Sequence, residues 1–536
     1  MSSKMLNTYL PLISLLIIIV STIVFRVRLL NIPLERDEGE YAYMGQLILD
    51  GTPPYSEAYN MKFPGIYFIY AGILWLFGET HTAIHFCLLI VNVLSIILLF
   101  IFARTAYDGW VGAAAAGAFA LLSMSYHVQG FWANAEHFIL PFVIGANFLL
   151  LSGLRKNRKD FILFSAILFS CAAIVKQQGA FFGFLGFIVL LISLWQNKSF
   201  DRRIYWKYIL TFLGGAIIPV ILCFSYLVYA GVFQKFYLWT FAYAREYSSL
   251  VPTADIAYYF FSSFLPLWRY TMLIWIIAGI GFIALFFVPY YKQSWILVLG
   301  LIVGSIVASS VGFYFRPHYF VLVLPSIALL FGVGIRFVYN IFSTASSHLI
   351  RYFPPTFVVI MTFLSTLIAH WDILYQFTPE KVTRIIYGSC PFPYSSIIAE
   401  IIKEKTLKGD RVAIIGNEPQ LLFYSQRRSA TSFIYTFSLI EEERFAEQFR
   451  LEMIHQVESV APKLFIYTRT MLDYYEKSQG QKELDKWFLD YTKLYYNPIA
   501  RFEYFCGDTL LVTDTTQMQK MPTHTFWISI YKRREK

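Results

Sequence analysis

Long apolar segments are the feature that most constrains the fold of this chain. The first covers residues 9–25, and others of similar length recur up to residue 370. A segment of about 20 apolar residues matches the hydrocarbon thickness of a bilayer, where a helix satisfies its own backbone polar groups. The sequence therefore predicts a mainly α, polytopic transmembrane helical bundle of about 11 spans. The expected spans are residues 9–25, 81–103, 111–130, 136–153, 161–175, 180–195, 208–230, 270–289, 294–312, 319–339 and 354–370.

The composition excludes an ordinary soluble enzyme. Of the 536 residues, 57% are hydrophobic and only 15% are charged, whereas soluble domains carry about 25% charged residues. The net charge of +10 is concentrated in the membrane part, so we interpret it as a determinant of membrane orientation and predict no nucleic-acid partner. The run 9–25 lacks a small-residue cleavage site, which favours a retained first span over a signal peptide.

The loops between the spans predict the orientation of the chain. Basic residues cluster at residues 155–159 and 202–207, and such clusters face the cytoplasm in membrane proteins. We therefore expect a multi-pass protein of the cell (inner) membrane with a cytoplasmic N-terminus. An odd number of spans then places the C-terminal region outside the cytoplasm.

The C-terminal region, residues 372–536, differs in character from the membrane part, residues 1–371. Strand-like runs at 411–416 and 463–467 alternate with amphipathic helical stretches at 396–405 and 439–454. This pattern predicts an extracytoplasmic α/β domain, long enough to bury its own core. In an exported domain, Cys390 and Cys506 could form a disulfide.

The first outer loop, residues 31–79, carries an acidic cluster made of Glu35, Asp37, Glu38 and Glu40. A solvated loop that repels the bilayer would explain four acids equally well. However, an amphipathic helix follows, and its N-terminal dipole would hold Asp37 and Glu38 ionised and able to accept a proton. The apolar run 63–78 is too short for a convincing span, so we expect it to lie at the outer interface.

Three basic residues on the predicted outer side are candidate phosphate ligands. Lys62 precedes the expected interfacial helix, and Lys176 and Arg316 occupy tight outer turns. A lysine at such a position can simply extend its amine to the lipid headgroups. The alternative, which we favour, is that all three bind the phosphate of a lipid-linked donor and lie close to Asp37 at the outer rim of the bilayer.

Glu136, His137 and His318 are candidate substrate-orienting residues. Glu136 is the only acid in its predicted outer turn. The sequence contains no spacing typical of a metal site, so it indicates no metal ligand set and no required cofactor, and metal dependence stays open. It also lacks a P-loop, which argues against a nucleotide-driven pump.

Several segments resemble a known superfamily. They are RDEGEYAYMGQLILDG and NMKFPGIYFIYAGILWLFG in the first outer loop, KQQGAF, RPHYFVLVLPSIALL and GNEPQLLFYSQRRSATSFIY. Together they resemble membrane glycosyltransferases of the C-type fold, within the protein mannosyltransferase and lipid A aminoarabinose transferase superfamily, including its rhizobial galacturonosyltransferase-like branch.

The resemblance implies a reaction and residue roles. Asp37 corresponds to the acid that activates the acceptor, Glu38 completes the pair, and Lys62 corresponds to the lysine that contacts the carrier-lipid phosphate. The implied enzyme moves a sugar from a polyprenyl-phosphate-linked donor to a lipid, glycan or protein acceptor on the extracytoplasmic face, with inversion at the anomeric carbon. Where the aminoarabinose branch usually has an acid before that lysine, this chain has Met61, so the sugar stays open.

Two other classes of function compete with a transferase. A polytopic transporter or lipid flippase with an exported accessory domain would place ionisable residues at the bilayer midplane, often in paired broken helices. Here the acids cluster in outer loops, and no internal repeat is evident. A receptor or scaffold would bind its partner through the exported domain alone, and the acids at the membrane would then be dispensable.

Overall fold

The computed structural model describes residues 3–196, 202–388, 391–441, 444–469, 478–505, 508–513, 515–518 and 526–535. Cys390 and Cys506 lie outside these ranges, so their pairing stays a prediction. Helices form almost all of the membrane part, and a mixed sheet organises the C-terminal region.

Every predicted span overlaps a helix. In the described ranges, eight helices are long and apolar enough to cross a membrane, namely α1, α4, α6, α8, α9, α12, α14 and α15. The prediction of a mainly α, multi-pass bundle is therefore confirmed. The helices are α1 (Ser3–Val27), α2 (Arg36–Leu49), α3 (Gly65–Phe77), α4 (His81–Ala106), α5 (Gly109–Ser123), α6 (Ala135–Lys156), α7 (Lys159–Val175), α8 (Gly179–Gln196), α9 (Arg202–Tyr229), α10 (Phe233–Tyr237), α11 (Ala244–Ser248), α12 (Ile256–Phe287), α13 (Trp295–Ser309), α14 (Leu324–Phe342) and α15 (His348–Ala369).

Small residues allow the central helices to approach closely. A Cβ on Gly281 of α12 would lie 2.0 Å from the carbonyl oxygen of Leu330 in α14, and one on Gly334 of α14 would lie 2.2 Å from that of Ile277 in α12. Lipid tails are as apolar as the side chains, so close packing replaces hydrophobic burial as the force that holds such helices together.

The two long outer segments are both helical. The run predicted to lie at the interface forms α3, a helix of 13 residues, which packs against α2. In the second segment, α10, a π-helical turn over Leu238–Tyr243 and α11 precede α12. The helix that contains the predicted span 270–289 is longer than that span, because α12 begins at Ile256 and continues through a kink at Thr271. The residues before the kink are also apolar, so the helix extends beyond the predicted start of the span.

The C-terminal region folds as the predicted α/β domain. Its six-stranded sheet has the order β2-β1-β3-β6-β4-β5, with parallel pairs β1–β2 and β1–β3 and antiparallel pairs elsewhere. The strands are β1 (Arg411–Ile415), β2 (Arg428–Ser429), β3 (Leu464–Arg469), β4 (Tyr496–Phe505), β5 (Asp508–Val512) and β6 (Phe526–Arg533). The helices are α16 (Pro379–Tyr387), α17 (Ser395–Glu404), α18 (Gln420–Ser425), α19 (Phe437–Ile440), α20 (Ala446–Val460), α21 (Gln479–Tyr495) and α22 (Thr515–Met518).

The C-terminal domain packs directly on the outer loops. A Cβ on Gly39 of α2 would lie 2.5 Å from Cβ of Gln420 in α18, so a larger residue at position 39 would separate the two helices. In the second outer segment, Trp239 stacks on Phe449 of α20 with ring centroids 4.6 Å apart. The predicted outer loops and the C-terminal domain thus share one side of the bundle, whereas which side faces the cytoplasm stays a prediction.

Candidate active site

Helix α2 presents the acidic cluster, and its first turn is fixed by a reciprocal cap. The backbone N–H of Glu38 donates to the Glu35 carboxylate at 3.0 Å, and that of Glu35 donates to the Glu38 carboxylate at 3.2 Å. This capping box satisfies two backbone donors that a helix start leaves free. Asp37, in the same turn, is consequently held in one place.

Asp37 and Lys62 form the ion pair that the sequence predicted to be close. The Lys62 amine lies 3.0 Å from Asp37 Oδ1 and 2.9 Å from Glu40 Oε2. It also lies 4.6 Å from the centre of the Tyr41 ring, a cation–π distance. The Lys62 and Asp37 side chains are 13% and 23% exposed, whereas that of Glu40 is fully buried. Both charged groups of the pair are therefore partly accessible to solvent, whereas Glu40 is not.

Glu40 is a site residue that the sequence did not single out. Besides Lys62, its carboxylate accepts hydrogen bonds from the Tyr67 hydroxyl at 2.7 Å and the Tyr435 hydroxyl at 3.0 Å. Its spacing of three residues from Asp37 places both acids on one helix face, which was the one available signal. Tyr435 lies 395 residues away in the C-terminal domain, so no local pattern could reveal this contact.

The electrostatics of the pair maintain opposite charges. Burial opposes ionisation of Asp37, yet the charges of Lys62, His318 and Lys176 hold the pKa of its carboxyl well below the ordinary value. Burial likewise disfavours the charged Lys62 amine, but Asp37 and Glu40 raise its pKa above the usual value. For Glu40, burial dominates and raises the pKa of the carboxyl.

Glu38 is separated from the Lys62 pair. Its fully buried carboxylate lies 2.9 Å from Nε2 of His85 in α4, and it also accepts a hydrogen bond from the backbone N–H of Ala133. The other ring nitrogen of His85 lies 3.1 Å from the Leu30 carbonyl oxygen. Glu38 therefore joins the start of α2 to the loop before α6, an arrangement that the sequence did not indicate.

Lys176 and Glu136 form a second ion pair on the same side. The Lys176 amine donates to Glu136 Oε1 and lies 4.7 Å from the centre of the Tyr319 ring. The Lys176 side chain is 9% exposed and Glu136 is fully buried. The two tight turns that the sequence placed outside are thus in contact, and the charge of Lys176 reaches Asp37.

The other predicted residues surround these two pairs. Arg316 is exposed, lies 5.3 Å from the Tyr314 ring centre and forms no salt bridge with another described residue. His318 Nδ1 lies 2.7 Å from Gln129 Oε1. His137 is 1% exposed, and neither of its ring nitrogens has a hydrogen-bond partner within the ranges that the structure describes.

Metal binding gains no support from the arrangement of acidic, histidine and cysteine side chains. Among the described residues, no group of three or more such side chains is placed to hold a metal ion. The residues present can hold an anion beside Lys62 or Arg316 and accept a proton at Asp37.

Sequence comparison matches part of the chain to a family model. Residues 61–226 match the dolichyl-phosphate-mannose-protein mannosyltransferase family, a stretch that begins just before Lys62 and includes both the Glu136 and Lys176 turns. No curated protein gives a significant match.

Solved structures match over nearly the whole chain. ArnT from Cupriavidus metallidurans bound to undecaprenyl phosphate is 13% identical, with a TM-score of 0.59 over 96% of this chain and 97% of that chain. Oligosaccharyltransferase AglB from Archaeoglobus fulgidus in complex with an inhibitory peptide and a dolichol-phosphate is 12% identical, with a TM-score of 0.54 over 98% of this chain and 76% of that chain. At these identities the likeness establishes the fold.

Proposed function

Because the chain has the C-type membrane glycosyltransferase fold, and the family-model match also supports assignment to that superfamily, we propose that it is a glycosyltransferase. It moves a sugar from a polyprenyl-phosphate-linked donor to a lipid, glycan or protein acceptor. The reaction takes place on the extracytoplasmic face of the cell membrane, where the C-terminal domain covers the first outer loop.

The observation that carries this proposal is the Asp37–Lys62 pair at 3.0 Å. A fixed carboxylate beside a fixed ammonium provides a proton acceptor next to an anion site, which is what displacement of a phosphate from a sugar requires. Structures with the same fold hold undecaprenyl phosphate or dolichol-phosphate, so the fold accommodates a carrier of this chemistry.

In the proposed order of steps, the phosphate of the donor binds first. Arg316, exposed and without a carboxylate partner in the described ranges, makes the first contact with the phosphate. Lys62 then shares its charge between the phosphate and Glu40. Lys176, held by Glu136, contributes positive charge from the opposite turn. These cations stabilise the phosphate as it departs.

Phosphate binding also changes the basicity of Asp37. While Lys62 holds Asp37, the depressed pKa makes the carboxylate a weak base. A phosphate that draws Lys62 away leaves burial as the main influence on Asp37, and burial raises the pKa. Asp37 then accepts the proton of the acceptor nucleophile, which attacks the anomeric carbon. The bond from that carbon to the phosphate oxygen breaks, polyprenyl phosphate leaves with the electron pair, and the configuration inverts.

Glu38 and Glu40 are positioning residues in this proposal. Glu38 holds the start of α2 against His85 and Ala133, whereas Glu40 holds Lys62 as a second carboxylate partner beside Asp37. The resemblance had suggested Glu38 as the partner of Asp37 in chemistry. The contacts of Glu38 with His85 and Ala133 favour a different role, in which Glu38 supports the start of α2.

Nothing in the described residues favours a transporter or flippase. The buried charged residues of the spans lie at helix ends, as Arg26 does near the end of α1 and Glu136 at the start of α6, and not at the middle of the bilayer. Transport sites are typically built at the midplane.

The experiment that tests the function compares envelope glycolipids and glycans by mass spectrometry. A deletion strain is complemented with the wild-type gene, with Asp37→Asn, or with Asp50→Asn, a change at the C-cap of the same helix at a carboxylate that is 61% exposed. We expect one glycosylated species to disappear on deletion and to return with wild type and Asp50→Asn only. Its return with Asp37→Asn would reject the catalytic assignment.

A further inference from the structure

A group of buried polar atoms on two outer turns has no partner in the described part of the chain. It comprises both amide atoms of Asn134, Oε2 of Glu136, both ring nitrogens of His137 and Oε1 of Gln178. Asn134 and Glu136 are fully buried, His137 is 1% exposed and Gln178 is 4% exposed. Buried polar groups in folded proteins nearly always have partners, so a set of six atoms without them points to a ligand.

The four residues belong to one place in the fold. Asn134 is the residue before α6, yet its side chain does not cap the helix, and Glu136 and His137 follow in the first turn. The hydrogen bond from Lys176 to Glu136 joins this turn to the one that carries Gln178. We call these four residues the α6-turn cluster.

The α6-turn cluster lies next to the segments that carry Tyr41 and Lys62. The Tyr41 hydroxyl is also buried without a partner, and its ring lies 4.6 Å from the Lys62 amine. Burial, followed by the charges of nearby carboxylates that include Glu136, raises the pKa of this hydroxyl well above its ordinary value. The turn that carries Gln178 also contacts the segment that carries Lys62, because the Gln177 side-chain amide donates to the Met61 carbonyl oxygen at 2.6 Å.

We propose that the α6-turn cluster is the subsite for the donor sugar and that it selects an uncharged sugar whose substituents are hydroxyls. This inference rests on the proposed transferase function and adds the class of sugar, together with Asn134 and Gln178 as residues that recognise it.

The donor and acceptor pattern of the cluster matches hydroxyl groups. An amide both donates and accepts, a neutral imidazole has one donor and one acceptor nitrogen, and the Gln178 and Glu136 oxygens accept. A sugar hydroxyl donates one hydrogen bond and accepts others, so several hydroxyls on one ring satisfy such a mixed set.

The charges at the cluster argue against a uronic acid or an amino sugar. Glu136 and Lys176 are paired, which leaves the turn without excess charge of either sign. A sugar carboxylate would lie against the Glu136 carboxylate, whose cation Lys176 is already paired. A sugar ammonium would lie against the like charge of Lys176. A buried charge without a partner is strongly unfavourable, whereas a neutral ring brings no such cost.

The test measures affinity of the purified full-length protein in nanodiscs for undecaprenyl phosphate that is bare or carries a neutral hexose, a hexuronic acid or an aminohexose. Wild type should bind the neutral hexosyl carrier at least tenfold more tightly than the bare carrier and than either charged form. Asn134→Ala and His137→Gln should each lose most of that tenfold gain while their affinity for the bare carrier stays within twofold. Asn497→Ala in the C-terminal domain is the matched control and should retain the whole gain.

The outcomes separate the subsite from the function. Equal affinity for bare and hexosyl carriers, or tighter binding of a charged sugar, would overturn the subsite while leaving phosphate binding intact. No binding of any carrier would overturn the transferase proposal and the subsite with it. Stabilisation of the protein by Zn²⁺ alone, lost in His137→Gln, would reassign the cluster as a metal site and also overturn the proposal.

Discussion

The start of α2 and the start of α6 lie on the same side of the bundle, yet their polar groups are satisfied very differently. In α2, Glu38 and Glu40 each have several protein partners. In the α6-turn cluster, six buried polar atoms have none within the described ranges. Satisfied groups stabilise the fold, whereas unsatisfied ones weaken it. We infer from this difference that the start of α2 supports the fold, and we propose that the α6 turn binds a ligand.

The largest expected effect comes from the one acid of α2 that we assign to chemistry. Asp37→Asn removes the proton acceptor but retains the shape, and we expect the transfer rate to fall by about 10² to 10⁴. The rate is measured in nanodiscs with a lipid-linked donor. Asp50→Asn should retain nearly wild-type activity, because surface ion pairs contribute little. A rate within threefold of wild type in Asp37→Asn would break the assignment.

Glu38→Gln should reveal the supporting role of α2 as a loss of stability. The substitution presents an amide N–H₂ where the carboxylate now accepts from Ala133 and pairs with His85, and we expect the free energy of unfolding to fall by about 3 kcal/mol. Thermal unfolding in detergent measures the change. Unaltered stability would show that these contacts do not support the fold.

Lys62→Met should change how stability depends on pH. In wild type, the depressed pKa of Asp37 contributes stability at pH values above the unfolded pKa of about 3.9, and that contribution is lost only as pH falls further. Without Lys62, burial raises the Asp37 pKa above the unfolded value, so the variant should lose stability relative to wild type as pH rises through the raised pKa.

Melting temperatures of both proteins between pH 4 and pH 8, a range that starts at the unfolded pKa of Asp37, check the Lys62 prediction. The control is Lys235→Met, which removes an exposed lysine whose amine donates to the Tyr59 hydroxyl. Parallel pH curves for Lys62→Met and wild type would contradict the electrostatic account of the pair.

Tyr435→Phe should show that the C-terminal domain supports Glu40 and, through Glu40, Lys62. It removes the hydroxyl that donates to Glu40, at an expected cost of about 1 kcal/mol in stability and a smaller fall in transfer rate than Asp37→Asn gives. Tyr467→Phe removes a comparable bond to Asp485 inside the domain and should lower stability without lowering the rate. Equal rates for both variants would mean that Glu40 holds Lys62 without Tyr435.

The smallest change in stability is expected where the polar groups are unsatisfied. Asn134→Ala removes two buried polar atoms without a described partner, so the free energy of unfolding should change by less than about 1 kcal/mol. Thermal unfolding of Asn134→Ala and of Glu38→Gln, both without a donor, measures the two changes in stability under the same conditions. A loss as large as that of Glu38→Gln would remove the distinction between the two helix starts.

Much of the membrane architecture could be predicted from the sequence, because hydropathy and helix formation in lipid are local properties. All predicted spans overlap helices, and the short run before residue 78 forms α3. The start of α12 was missed because its outer half remains apolar across Pro266. The C-terminal α/β domain was predicted from alternating strand and helix patterns, but its tight contact on Gly39 was not.

The sequence predicted only those parts of the candidate site that follow from the charge of a residue and its predicted side of the membrane. Asp37 and Lys62 were expected to meet and do, and Glu136 and Lys176 were both placed outside. Their direct pairing, the Glu40 contact with Tyr435 and the Glu38 contact with His85 depend on tertiary packing. The periodic pattern of apolar residues does not reveal such contacts, because the partners lie in helices and loops far apart in the chain.

A cryo-EM map of the protein in nanodiscs with a bound hexosyl polyprenyl phosphate would show where the phosphate and the sugar of the donor bind. We predict the phosphate within hydrogen-bonding distance of the Lys62 amine, the anomeric carbon facing Asp37, and the sugar hydroxyls against Asn134 and His137. A phosphate bound elsewhere, with the Asp37–Lys62 pair intact and the α6 turn empty, would contradict the account.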